Sequence, residues 1–173
     1  PFSADSPAEG SHRFSAFTAS VLQLRPESKG ELKLRSSNPM DHPRIFPNYL
    51  ATKTDCDTLV NGIKITRRIC GYDPVRSLIT DEFSPGQAIN GDNDAAILEW
   101  ARNTSTTIYH PSGTCKMGKD PMAVVDPRLR VHGVGRLRVA DASIMPTITS
   151  GNTNAPAIMI GEKVSDMLME DAG

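Results

Sequence analysis

Polar and apolar positions in the first third of the chain follow a pattern that predicts strands before helices. Residues 14–24 (FSAFTASVLQL) are rich in β-branched and aromatic side chains, and RPESKG after them supplies turn residues. GELKLRSS then alternates polar with apolar positions, as a half-buried strand does. Together the two runs predict an antiparallel hairpin joined by a loop of several residues. NPMDHPRIFPNYL carries Pro39, Pro43 and Pro47. Each proline removes a backbone donor, which forbids a central strand or a helix and leaves an extended edge segment ending near Tyr49.

Helical spacing follows. Thr54 with Asp57 three residues on resembles a capping box, with Asp in place of the usual Glu. Leu59, Ile63 and Ile69, flanked by Val60 and Ile65, form an apolar face, and Lys64, Arg67 and Arg68 lie near the C-terminal end, where cations suit the helix dipole. Asp73-Pro74 starts a short second helix reaching about Ile79. Residues 92–101 (DNDAAILEWA) predict a third, acidic in its first turn and offering Ile97, Leu98 and Trp100 for packing. TTIY at 106–109 is a short β-prone run. AVVDPRLRVHGVGRLRV holds two alternating runs about a Gly-Val-Gly turn. A last helix covers about 155–170, with Pro156 in its first turn, where proline is tolerated. Hairpins interleaved with separate helices, without regular βαβ alternation, predict an α+β fold: a mainly antiparallel sheet flanked by helices.

Composition narrows the function classes. The 173 residues carry 19 Lys+Arg against 20 Asp+Glu, a net charge of −1. That balance argues against a nucleic-acid module working by counterion release. No run approaches the roughly 20 apolar residues that span a bilayer. Cys56, Cys70 and Cys115 are odd in number and far apart, which predicts no disulfide framework and a reducing compartment. The opening PFSADSPAEGSH has no initiator Met, cationic n-region or apolar h-region. It reads as an internal loop and predicts that the chain is a piece of a longer protein.

Two segments have the make-up of a site. HPSGTCKMG (110–118) sets a histidine on a turn with two glycines and small hydroxyl residues, where an imidazole can face a cleft and a ligand can approach the backbone. A capping or packing role for His110 is the simpler alternative. DASIMPTITSGNTNAP (141–156) is nearly uncharged, crowded with amides and hydroxyls, and runs directly into the last helix. Free N–H groups at such a helix start suit an electron-rich ligand group. Asn152 or Asn154 could cap the helix; both need not.

The combination HPSGTCKMG … VVDPRLRVHGVGRLRVADASIMPTITSGNTNAPAIMIGEK resembles the C-terminal signature of the glucose–methanol–choline (GMC) flavoprotein oxidoreductases, most of all the choline dehydrogenase and bacterial alcohol dehydrogenase branch. FTASVLQLRPESKGELKLRSSNPMDHPRIFPNYL resembles the same family's entry into its substrate domain. The resemblance implies a substrate-binding domain at residues 1–140 and a segment, 141–173, that completes an FAD-binding domain. It implies His110 as catalytic base and Asn152 as the second catalytic position. Asp141 and Ala142 match the stretch near the FAD phosphate and ribityl groups, and Thr153 and Asn154 match the backbone beside the flavin ring. The expected reaction oxidises an alcohol, its proton going to the base and a hydride to the flavin. Such proteins hold most of the FAD on an N-terminal Rossmann-like half with a GxGxxG fingerprint, and no GxGxxG occurs in this sequence. The chain alone is therefore expected to be inactive. Its expected partners are a small-molecule alcohol, the N-terminal FAD-binding half, and further copies in a homo-oligomer, in the cytoplasm or peripheral to the inner membrane. A lyase on the same scaffold, like the hydroxynitrile lyases, and a stand-alone binding module are the alternative readings.

The other chemistry-bearing groups read more simply. Arg128, Arg130, Arg136 and Arg138 alternate with Leu or Val, predicting one solvated and one buried face. Cys115 near His110 lacks a second pair at ligand spacing, so no metal is expected. Asn103-Thr104-Ser105 fits a glycosylation sequon but is read as idle. Met159, Met167 and Met169 read as core filler or helix surface, and Tyr109 and Trp100 are the aromatics nearest the site in sequence.

Overall fold

The computed structural model describes residues 10–86, 89 and 93–173. The α+β class holds, with three α-helices and one two-stranded antiparallel sheet among these residues. The chain divides into two compact units, residues 1–23 with 52–104, and 24–51 with 105–173.

In the first unit, α1 spans Lys53–Cys70 and α2 spans Asp94–Thr104. The N-cap of α1 is Thr52, whose hydroxyl accepts from the Asp55 N–H at 3.2 Å. The Thr-x-x-Asp pattern thus operates two residues upstream of Thr54, because Thr52 has the extended backbone a cap needs (φ −99°, ψ 152°). The buried face matches the expected one only in part: Leu59 and Ile63 are half-buried. Cys56 and Val60 are buried, whereas Ile65 and Ile69 are 45% and 60% exposed. On α2, Ile97 and Ala101 are fully buried, one turn apart. Its N-terminus is held by Asn93, whose side-chain oxygen accepts from the Ala96 N–H at 3.1 Å; Asp92, the expected start, lies outside the described residues. A Lys64–Asp94 ion pair bridges the two helices. The predicted helix after Asp73 is a short 3₁₀ turn, Arg76–Leu78.

The strand expected at 14–24 does not form. Val21 instead packs on α1 at Gly62, where an added Cβ would sit 2.5 Å from a Val21 methyl. β-propensity recorded a residue fit for apolar packing, and helix packing took it.

In the second unit, β1 (Glu31–Lys33) therefore pairs downstream, with β2 (Arg44–Phe46), in the register Leu32↔Ile45. The edge segment expected among the prolines is β2. Gly30 makes the closure possible, since a Cβ there would lie 2.1 Å from the Phe46 carbonyl oxygen. The two alternating runs at 123–139 form only isolated bridges, Val125↔Val131 and Arg130↔Arg138, and TTIY forms no strand. Gly-rich connections leave them too short for a ladder. Their apolar residues build the core of this unit nonetheless: Val125 and Leu129 with Ile144, Met145 and Ile160, flanked by Met117, Val139, Val164 and Met167. Ile160 and Val164 belong to α3, Asn154–Ala172. Of the three methionines on α3, Met167 packs on the core while Met159 and Met169 are 54% and 69% exposed.

The arginine run does more than face solvent. Asp171, in the last turn of α3, pairs with Arg128, Arg130 and Arg138, and Glu170 also meets Arg128. The hydrogen bond from Arg130 leads the forces that hold the Asp171 carboxyl below its ordinary pKa. Asp126 fixes the start of the run. Its carboxylate accepts from the N–H groups of Arg128 and Arg130, at 2.8 and 2.9 Å. No helix among the described residues is long and apolar enough to cross a membrane.

Candidate active site

Three stretches of the second unit meet around His110. Tyr109, just before it, has a left-handed backbone (φ 62°), and its N–H donates to the Thr107 hydroxyl at 3.1 Å. A non-glycine residue in that region costs of order 1–3 kcal/mol and persists where its surroundings impose it. The turn leaves Tyr109 69% exposed and His110 half-buried.

Beyond His110, the loop is stitched to the 3₁₀ turn Ala142–Ile144. The Cys115 N–H donates to the Ser143 carbonyl at 3.0 Å, and the Met117 N–H to the Ile144 carbonyl at 2.7 Å. Gly113 (φ 86°) passes so close that an added Cβ would lie 3.3 Å from the Met145 carbonyl oxygen, which explains a glycine at that point. Asp141 caps the same turn, accepting from the Ser143 N–H at 2.7 Å. Ala142 is half-buried beside the core.

The third stretch is the start of α3. Thr153 is its N-cap by position, but its hydroxyl makes no capping bond to the helix. It lies 2.9 Å from His110 Nδ1, joining residues 43 apart in sequence. The Thr153 N–H also points at Nδ1, at 3.5 Å. Thr153 is 9% exposed, while Asn152 and Asn154 on either side are exposed. Neither asparagine is the helix's side-chain cap, and both stand exposed at the helix start.

Of the six residues marked in the sequence, His110 and Thr153 are thus in direct contact, Asn152 and Asn154 flank that contact, and Asp141 and Ala142 begin the turn that anchors the loop. Trp100 sits half-buried on α2 in the first unit. The Thr153–His110 bond and the left-handed Tyr109 were not foreseen. A threonine set between two asparagines at a helix start was the signal for the first; nothing in the sequence marked the second.

A family model described as GMC oxidoreductase matches residues 26–161. An alcohol dehydrogenase (acceptor) of Pseudomonas putida is 46% identical over 153 residues, covering 88% of this chain and 27% of the relative. Mitochondrial choline dehydrogenase of Homo sapiens is 48% identical over 155 residues, covering 88% and 26%. The chain thus spans about a quarter of the length of the curated relatives it matches. Among solved structures, pyridoxine 4-oxidase from Mesorbium loti superposes with a TM-score of 0.79 at 32% identity, over 85% of this chain and 28% of that one. A fungal aryl-alcohol oxidase gives 0.77 at 31%, over 86% and 24%.

Proposed function

Because the chain belongs to the GMC oxidoreductase family, whose members are FAD flavoproteins acting on CH–OH donors, we propose that it is the C-terminal part of an FAD-dependent alcohol dehydrogenase of the choline or simple-alcohol type. In this reading residues 1–140 form the substrate side and residues 141–173 complete the flavin domain. The observation that carries it is the seating of His110 on the start of α3, beside the exposed amides of Asn152 and Asn154.

The residues present fit one side of a flavin. The first turn of α3 has no side-chain cap and Pro156 has no N–H, so the N–H groups of Asn154 and Ala155 are those left for an electron-rich partner. Asn152 and Asn154 flank them, and Asp141 and Ala142 stand at the turn below. When bound, FAD supplies the hydride acceptor that no side chain provides. This chain's own work is protonic and positional. His110 accepts the proton of the substrate hydroxyl, a task suited to an imidazole near neutral pH. The Asn152 amide donates a hydrogen bond to the oxygen as negative charge develops there, without adding a charge of its own. With FAD bound, the carbon-bound hydrogen would pass as hydride to that acceptor, and the alcohol would become an aldehyde.

The test uses the full-length protein. Adding a substrate alcohol without oxygen is expected to bleach its flavin absorbance, and a panel of small alcohols, choline included, identifies the substrate. A flavin that stays oxidised throughout the panel while the protein cleaves a cyanohydrin would replace this reading with a lyase.

A further inference from the structure

We infer that Thr153 is the positioning residue that selects the working tautomer of His110, an inference resting on the role proposed for that histidine. A base must present a lone pair to the substrate. The nitrogen bound to Thr153 is Nδ1, at 2.9 Å from the hydroxyl, which leaves Nε2 as the ring nitrogen free to act. Nε2 carries a lone pair in the neutral ring only if the single ring hydrogen is on Nδ1.

Thr153 offers Nδ1 two groups that pull in opposite directions. The backbone N–H can only donate, so it favours a bare Nδ1 and a hydrogen on Nε2, the tautomer that cannot accept a proton there. At 3.5 Å it lies beyond the usual 2.7–3.2 Å range for such a bond. The hydroxyl can donate or accept, and its distance is normal. Accepting from Nδ1–H, it stabilises the working tautomer and holds the ring plane as Nε2 takes up the proton. It keeps the same role in the imidazolium form, so no rearrangement at Nδ1 accompanies the transfer.

This arrangement explains why the hydroxyl at the N-cap of α3 makes no bond to its own helix. It also makes the side chain, rather than the backbone, the deciding group. Deleting the hydroxyl leaves the amide as the sole partner of Nδ1. With no acceptor left for Nδ1–H and only a donor nearby, the ring then favours the Nε2–H form, and the base is lost without any change in its position.

The experiment compares full-length wild-type protein with Thr153→Val, Thr153→Ser and His110→Ala. The Val variant keeps the branched shape of threonine without the hydroxyl; Ser restores the hydroxyl alone. The limiting rate of flavin reduction is expected to fall about 10²- to 10⁴-fold in the Val variant, the scale of a lost general base, with substrate affinity unchanged, and to recover in the Ser variant. A readout independent of turnover is the ¹⁵N spectrum of protein labelled at histidine, with the His110 signals assigned by their loss in His110→Gln. Nε2 should be unprotonated in wild type and Ser and protonated in Val. A wild-type ring carrying its hydrogen on Nε2 overturns the inference, as does a Val variant matching wild type in rate and spectrum. If His110→Ala reduces its flavin at the parent rate, the underlying assignment of the base fails instead.

Discussion

The two longest helices both begin at a threonine, and the two threonines do different work. Thr52 bonds the N–H of Asp55 and closes the start of α1, as expected of a helix used for packing. Thr153 stands at the same position of α3 and turns its hydroxyl to His110. A missing side-chain cap costs a helix roughly 0.5–2 kcal/mol. At α3 that loss coincides with a hydroxyl turned to a histidine and with two exposed asparagines. On the proposed function, local stability is given up where the chemistry takes place.

That contrast can be broken in order of expected effect. His110→Ala in the full-length enzyme should slow flavin reduction by about 10²- to 10⁴-fold, measured by anaerobic stopped-flow; a parent-like rate would return His110 to a packing role. Asn152→Ala should cost about 10²- to 10³-fold, as for a removed oxyanion donor. An unchanged rate there would leave the helix start with no part in the chemistry.

The smaller effects concern stability. Thr52→Ala should weaken the first turn of α1 by about 1 kcal/mol, seen as faster hydrogen exchange at the Asp55 amide, with flavin reduction untouched. Thr153→Val should leave exchange in the first turn of α3 unchanged, since its hydroxyl caps nothing there; accelerated exchange would erase the difference between the two threonines.

The far end of α3 supplies a pH dependence. Because the folded-state pKa of Asp171 is depressed, its contribution is present above the ordinary carboxylate pKa of about 3.9 and is lost as pH falls through the lower folded value. Protection of the last-turn amides of α3, measured against the exchange of the unfolded chain at the same pH, should therefore be flat from neutral pH down to about 4 and fall only in stronger acid. Asp171→Asn should show the lowered protection at every pH.

Helices and the candidate site were more legible in the sequence than the sheet. Helix periodicity and punctuation are local, so α1, α2 and α3 were foreseen to within a few residues, the cap of α1 being displaced between two equivalent Thr-x-x-Asp pairs. Strand pairing is a choice among distant partners, and the run at 14–24 looked as good a partner for β1 as the proline-rich stretch that took the place. The half-exposed state of Ile69 was hidden for a related reason: an apolar helix face is readable, but which edge of it meets a neighbour is not. At the candidate site, residue types stood out in the sequence because amides and hydroxyls crowd a nearly uncharged stretch at a helix start. The pairing of His110 with Thr153 was not, since it depends on a contact 43 residues away.

The arginine cluster around Asp171 gives α3 two anchorages of different kinds. Its distal end is held by partly exposed charges, while its proximal end is held by buried Ile160 and a hydrogen bond shared with one half-buried ring. Mobile ions screen the first and scarcely touch the second. Ionic strength therefore acts on this helix as a gradient: rising salt frees its tail and leaves its head, with the histidine, in place.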